Sequence, residues 1–228
     1  MQAKSTVCDS LSAIARIGSA IIPRMVGAYM GFRLGRFRGI GWGWRYLRIH
    51  PFSVFLVEAG GKLEVQGRLH IGFALKPDVP LPGKRRTGLV IKKNGTFRSG
   101  KDVHLLIGST VHVSENAVVE IGDRTFVGYD STIVAREKIA IGADCAIAWG
   151  VTILDSNLHK ISGVPYAIPV HIGSRVWIGH HASILQGAAI GDGAIVGAHS
   201  LVNTAVPPRA LAVGLPAKVI KQNVEWEL

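Results

Sequence analysis

The segment DSNLH places three polar side chains, Asp155, Asn157 and His159, at alternate positions. A free imidazole has a pKa of about 6.5, so a neutral ring can accept a proton at cellular pH. A neighbouring group must then fix the tautomer of the ring, and the candidates are Asp155 or a backbone carbonyl. The alternative is that His159 is only a polar residue on a solvated loop.

The residues on both sides of this segment repeat every six positions. Downstream, aliphatic side chains occur at Ile172, Ile178, Ile184, Ile190, Val196 and Val202, and a small or β-branched residue follows each by four. Upstream, the same spacing links Ile121, Val127 and Ile133, and then Ile141, Ile147 and Ile153. Neither a helix nor a simple strand has this period. It predicts a triangular β-solenoid, with the aliphatic residue inside and the Gly or Asn that follows it at the strained corner.

The repeat also predicts the limits of the elements in an all-β chain. We expect the solenoid over residues 56–207, with loop insertions at 72–88 and 154–171. An N-terminal extension over 1–55, helical over 10–32, and a short C-terminal tail over 208–228 complete the chain. Since 19 residues separate Ile153 from Ile172, where six would continue the repeat, the DSNLH segment opens an external loop on the binding face.

The sequence VWIGHHASILQGAAIGDGAIVGAHSLV, followed by VPPRALAVGLPAKVIK, resembles the hexapeptide-repeat acyltransferases, which fold as a left-handed parallel β-helix. The resemblance covers roughly residues 100–221 and is greatest to sugar O-acetyltransferases of polysaccharide biosynthesis. It implies a homotrimer with acetyl-CoA as co-substrate and a sugar or glycan hydroxyl as acceptor. It also implies that His159 is the general base. Asp155 or a backbone carbonyl then remains the candidate to orient the ring, and Asn157 is the candidate to position the acceptor.

The same resemblance implies where the coenzyme binds. The implied cofactor-binding residues are Trp177, Gly179, His180, Ala198, Asn203, Thr204, Lys218 and Lys221. The family commonly has a Thr-Lys pair after SLV, where this chain has Asn203 and Thr204, so the two C-terminal lysines are the candidates for the 3′-phosphate. For Trp177, packing against the solenoid wall is the alternative.

The nine histidines raise a second class of function, a γ-type zinc hydratase on the same fold. His181 and His199 are 18 residues apart and should stack in successive coils. An open zinc site needs three ligands, and no two histidines have the five-residue spacing of those hydratases, so we predict no metal ligands. A third hypothesis is a non-catalytic β-helix scaffold whose loop binds a partner.

The positive charge of the chain is concentrated in its first half. Residues 1–101 contain 18 Lys/Arg against 4 Asp/Glu, a net charge of +14, whereas residues 102–228 carry −3. Arginines are interleaved with aromatic residues over 24–48, which favours peripheral contact of residues 16–48 with an anionic membrane or a lipid-linked substrate. The alternative is that this segment covers the end of the β-helix or contacts another subunit of the trimer. Nucleic acid is disfavoured because no nucleic-acid-binding motif accompanies this segment. With two cysteines and no secretory signal, we expect a cytoplasmic protein at the inner face of the membrane.

Overall fold

The computed structural model describes residues 46–50, 53–73 and 86–227, which form strands connected by turns and loops. The first twelve strands are β1 (Leu47–Ile49), β2 (Val54–Val57), β3 (Lys62–Val65), β4 (Leu69–Ile71), β5 (Gly88–Ile91), β6 (Thr96–Ser99), β7 (Val103–Leu105), β8 (Thr110–Val113), β9 (Val118–Ile121), β10 (Phe126–Val127), β11 (Thr132–Ala135) and β12 (Lys138–Ile141). The others are β13 (Ala146–Ile147), β14 (Thr152–Leu154), β15 (Val170–Ile172), β16 (Trp177–Ile178), β17 (Ser183–Ile184), β18 (Ala189–Ile190), β19 (Ile195–Val196), β20 (Leu201–Val202), β21 (Ala205–Val206), β22 (Leu211–Gly214) and β23 (Ala217–Lys221).

These strands form three sheets, and each strand pairs with the one three places further along the chain. Sheet A has the order β1-β4-β7-β10-β13-β16-β19-β22-β23, sheet B runs β2-β5-β8-β11-β14-β17-β20, and sheet C runs β3-β6-β9-β12-β15-β18-β21. Every pairing is parallel except β22 with β23. Successive strands therefore occupy successive faces of a three-sided coil, and the predicted β-solenoid is confirmed.

The aliphatic repeat forms the core. Ile172 pairs with Ile190, Ile178 with Val196 and Ile184 with Val202, so a coil here has the predicted 18 residues. All six of these side chains are buried, and so are the six residues that follow them by four positions. A fully buried aliphatic side chain contributes about 1.5–3 kcal/mol, so the stack of coils supplies the stability that one coil lacks.

The prediction for the corners was wrong. The four glycines that directly follow the buried aliphatics of the downstream repeat (Gly173, Gly179, Gly191 and Gly197) do not have a positive φ; that conformation occurs two residues later, for example at His181 (φ 56°). A Cβ on Gly179 would lie 2.5 Å from the backbone nitrogen of Ala198 in the next coil. Close stacking of the coils, and not left-handed backbone, therefore requires glycine at this position.

The parallel ladder also extends beyond the predicted limits of 56–207. It begins with β1, which pairs with β4, and ends with β22, which pairs with β19. The predicted helix over 10–32, most of the 1–55 extension and most of the 72–88 loop lie outside the described residues. Within the described ranges, no helix is long and apolar enough to cross a membrane.

Candidate active site

The loop between β14 and β15 is anchored at its base. The backbone oxygen of Asp155 accepts a hydrogen bond from the amide of Ile168 at 2.8 Å, and Ser156 forms an antiparallel bridge with Ala167. The carbonyl of Ile168 accepts a further hydrogen bond from the amide of Gly187 in the following coil. The ends of the loop are therefore held against the solenoid, and its tip, residues 157–166, is exposed.

Asp155 has a different partner from the one predicted. Its carboxylate is completely buried, and its two oxygens accept hydrogen bonds from the amides of Arg136 (2.7 Å) and Glu137 (2.8 Å). These amides lie in the turn between β11 and β12, one coil earlier in the stack. No hydrogen bond joins Asp155 to His159 within the described residues. The predicted contact that would orient His159 is thus not made, because the carboxylate fastens the loop to the preceding coil.

Asn157 and His159 lie on the exposed tip. Neither side chain has a hydrogen-bond partner within the described part of the chain, so both are available to other molecules. The apolar side chains of the tip are exposed as well; they are Leu158 (41%), Ile161 (51%), Val164 (41%) and Tyr166 (38%). Such a segment is suited to packing against a second surface.

Trp177 lies on the outer surface of sheet A, where it is 42% exposed. Its ring is 6.1 Å from that of Trp226, whose indole nitrogen donates a 2.8 Å hydrogen bond to the carbonyl of Arg175. In the register of sheet A, Trp177 aligns with Ile195, Leu211 and then Lys221. With about 4.8 Å between neighbouring strands, Trp177 and Lys221 are about 14 Å apart along this row.

An imidazole cluster occupies the corner between sheets A and B. The rings of His181 and His199 stack at 5.2 Å, as predicted from their spacing, and both contact His180 edge-on. The other face of His180 stacks on Trp149 at 4.9 Å, and its Nδ1 is buried without a hydrogen-bond partner in the described residues. We had not predicted Trp149 as a site residue, although it follows Ile147 by two positions as His180 follows Ile178.

The other predicted cofactor residues lie apart from this cluster or support its backbone. Ala198 is exposed at the same corner and contacts the coil at Gly179 through its backbone. Asn203 and Thr204 are exposed in the turn between β20 and β21, and Lys218 and Lys221 are exposed on β23. The eight predicted residues are thus spread over the outer face of sheet A, two corners of the solenoid and its terminal strand, β23.

Side-chain atoms that could act as metal ligands converge at a different place from the stacked pair His181 and His199. In the described ranges, the one set of ligand atoms that converge within 4.8 Å belongs to His70, Asp102 and His104. The trio of His180, His181 and His199 does not meet this condition there. The prediction that the chain has no metal ligands did not consider this trio, which lies near the N-terminal end of the solenoid.

Comparison with known families gives two matches in the repeat region. Residues 118–155 match the family model described as hexapeptide repeat of succinyl-transferase, and residues 169–204 match bacterial transferase hexapeptide (six repeats). The two matches flank the loop that carries His159.

Two relatives of known name are similar over longer segments. WbbJ of Escherichia coli (strain K12), named as a lipopolysaccharide biosynthesis O-acetyl transferase, is 31% identical over 153 residues, which is 60% of this chain and 78% of WbbJ. The galactoside O-acetyltransferase of the same organism is 35% identical over 118 residues, 49% of this chain. The chain spans only 58% of the length of that second relative.

Among solved structures, the polySia-specific acetyltransferase NeuO superposes with a TM-score of 0.57 at 23% identity, covering 78% of this chain and 89% of NeuO. This likeness shows the fold, a left-handed β-helix. The six-residue repeat, the three-sheet coil that it forms and the match to most of WbbJ agree. The chain therefore belongs to the hexapeptide-repeat acyltransferase family.

Proposed function

We propose that the chain transfers an acetyl group from acetyl-CoA to a hydroxyl group of a sugar or glycan. The observation that carries the proposal is an anchored loop that presents an unpaired imidazole, His159, between two stretches of hexapeptide coil. The names of WbbJ and of the galactoside O-acetyltransferase support an O-acetyl reaction with a sugar-containing acceptor.

In the proposed reaction His159 is the general base. Its neutral ring accepts the proton of the acceptor hydroxyl while the hydroxyl oxygen attacks the carbonyl carbon of the acetyl thioester. The carbon–sulfur bond then breaks, and the imidazolium returns the proton to the departing sulfur, so that coenzyme A leaves as a thiol. In the same proposal Asn157, two residues away on the same tip, donates a hydrogen bond to the acceptor.

The orientation of His159 needs a group other than Asp155, whose two carboxylate oxygens are both used by backbone amides. We propose that a second copy of the chain supplies it in a homotrimer, where the loop tip packs against the neighbouring solenoid. The exposed apolar side chains around His159 support this arrangement, because burying them in water-excluding contacts stabilises an assembly.

For the donor, we propose that coenzyme A lies along sheet A, with its thioester end near Trp177 and its phosphates near Lys221. The row from Trp177 to Lys221 is extended and ends in exposed positive charge, and Lys218 lies on the same strand. An ammonium group binds a phosphate as a point charge.

Thiol release from acetyl-CoA, measured with galactosides and oligosaccharides as acceptors, tests the proposal. We expect His159→Ala to lower kcat by about 10²–10⁴-fold, the usual contribution of a general base, without loss of coenzyme A binding. Lys160→Ala is the matched control, because this side chain is exposed on the same tip and has no partner there. Wild-type turnover by a folded His159→Ala protein would refute the role of this residue.

Co-expression of two inactive variants tests the intersubunit site. If the loop of one subunit acts with the donor surface of the next, His159→Ala and Trp177→Ala subunits that assemble at random should restore about a quarter of the sites. Activity no higher than that of the separate variants would show that each site lies within one chain.

A further inference from the structure

Two histidines and an aspartate converge on the outer surface of sheet A, far in sequence from the proposed active site. His70 in β4 and His104 in β7 are direct neighbours in the register of the sheet. Their rings stack at 4.2 Å with an interplanar angle of 5°. Asp102, in the turn before β7, points a carboxylate oxygen to within 3.5 Å of Nε2 of His70.

The most informative atom of this group is Nε2 of His70. The residue is only 8% exposed, and this nitrogen is buried without a hydrogen-bond partner in the described residues. At 3.5 Å, the carboxylate of Asp102 is too distant for a good hydrogen bond to it. A buried polar atom that lacks a partner costs free energy, so a ligand bound at this nitrogen would remove that cost.

The ligand atoms of the three residues lie within 4.8 Å of one another. Two imidazole nitrogens and one carboxylate oxygen are ligands that Zn²⁺ prefers, at about 2.0–2.2 Å each, in a tetrahedral site whose fourth position can be water. Tetrahedral ligands at this distance are about 3.3 Å apart, so the ligand atoms would need to approach one another by up to about 1.5 Å. The two rings would also need to rotate out of their parallel stacking, so that both in-plane lone pairs point at one ion.

The neighbouring charges do not prevent cation binding. Arg48 in β1 pairs with His70 in the register, and its charge opposes a cation. Asp102 carries the opposite charge and is itself a ligand, whereas Arg48 is not held in an ion pair within the described residues and its long side chain can turn away. The remaining neighbour in this row, Phe126, is uncharged.

We propose that His70, Asp102 and His104 form a Zn²⁺ site that fastens two successive coils together. The two histidines are 34 residues apart because β4 ends at Ile71 and β5 begins only at Gly88. A metal ion at this point would join the coils on both sides of the interruption. The site is independent of the proposed acetyl transfer and does not require it.

Zinc titration of the full, untagged protein, after removal of metal with a chelator, tests this site. The probe is Zn²⁺ alone, in competition with a chromophoric chelator. We expect one ion per chain, and an affinity lowered at least 100-fold by His104→Gln and about 10–100-fold by Asp102→Asn. Asp102 has a φ of 59°, and asparagine tolerates this conformation well, so the second variant should keep its fold.

The double variant His181→Gln/His199→Gln is the matched control, because it removes the other stacked pair. It should bind zinc as tightly as the wild type. Saturating zinc should also raise the thermal midpoint by about 5 °C in wild type and control, and leave that of His104→Gln unchanged. The proposal would be overturned if the wild-type protein bound no stoichiometric zinc, or if Asp102→Asn and His104→Gln bound zinc as tightly as the wild type.

Discussion

The carboxylate of Asp155 should stabilise the protein by fastening the loop between β14 and β15 to the preceding coil. Asp155→Asn keeps the size of the side chain but replaces one acceptor oxygen with a donor. One of the two amides, of Arg136 or Glu137, then loses a hydrogen bond to a charged group and is left facing another donor. Such a bond contributes about 1.5–3 kcal/mol, and a buried donor without a partner costs about 1–3 kcal/mol. We therefore expect the free energy of unfolding to fall by about 3 kcal/mol.

Urea denaturation followed by far-UV circular dichroism measures this change. With a denaturant slope of about 2 kcal/mol per M, the midpoint should fall by about 1.5 M. Asp192→Asn is the matched control: this exposed carboxylate accepts a single 2.7 Å bond from the amide of Ser174, which the asparagine oxygen can retain. Its midpoint should stay within about 0.3 M of wild type. An equally small shift for Asp155→Asn would refute the anchoring role of this carboxylate.

Three further predictions concern the stacked coils. Burial raises the pKa of the Cys145 thiol to about 11, so this thiol should stay protonated and unreactive in the folded protein at pH 8. In a Cys8→Ser variant, labelling of Cys145 by a disulfide reagent at pH 8 should therefore require unfolding. Labelling of the native protein within minutes would contradict this. The unfolded thiol ionises at a lower pH than the folded one, so this residue's contribution to stability should be full below pH 9 and decline as pH rises towards 11. Gly179→Ala should lower the free energy of unfolding by about 1–3 kcal/mol, because its Cβ would meet backbone at 2.5 Å. The control Gly88→Ala, whose Cβ has its nearest contact at 3.5 Å, should change this free energy little. Equal urea midpoints for the two variants would contradict the close-stacking argument.

The sequence was sufficient for the solenoid because its core repeats at short range. Ile178 and Ile184 are separated by one strand and one corner, so the spacing of buried side chains appears directly in the sequence. The reason for glycine at each corner was assigned wrongly, because glycine is favoured both where φ is positive and where there is no space for a Cβ atom. Only the stacked backbone distinguishes Gly179, which needs space, from His181, which has the positive φ.

The contacts of the candidate site were harder to predict than the fold, because the residues that meet across neighbouring coils depend on the number of residues in each coil. Paired residues are 18 apart at Ile172 and Ile190, 20 apart at Ile121 and Ile141, and 34 apart at His70 and His104. Spacing within DSNLH suggested that Asp155 would meet His159, four residues away, but stacking brings Asp155 to amides 18 and 19 residues earlier. Any pairing across an irregular coil is hidden from local sequence patterns for the same reason.

The division of the loop into a fixed base and an open tip has a functional consequence. Asp155 and the Ser156–Ala167 bridge hold the base, so the tip is presented at a defined place on the solenoid, yet nothing in the described part of its own chain orients His159. A general base must be held within hydrogen-bonding distance of the proton that it removes. The anchored ends of the loop limit the position of the His159 imidazole. The surface that covers the apolar tip must then fix the orientation of that ring. In the proposed trimer, therefore, assembly and catalytic competence are coupled, and dilution to monomers should abolish turnover before it unfolds the solenoid.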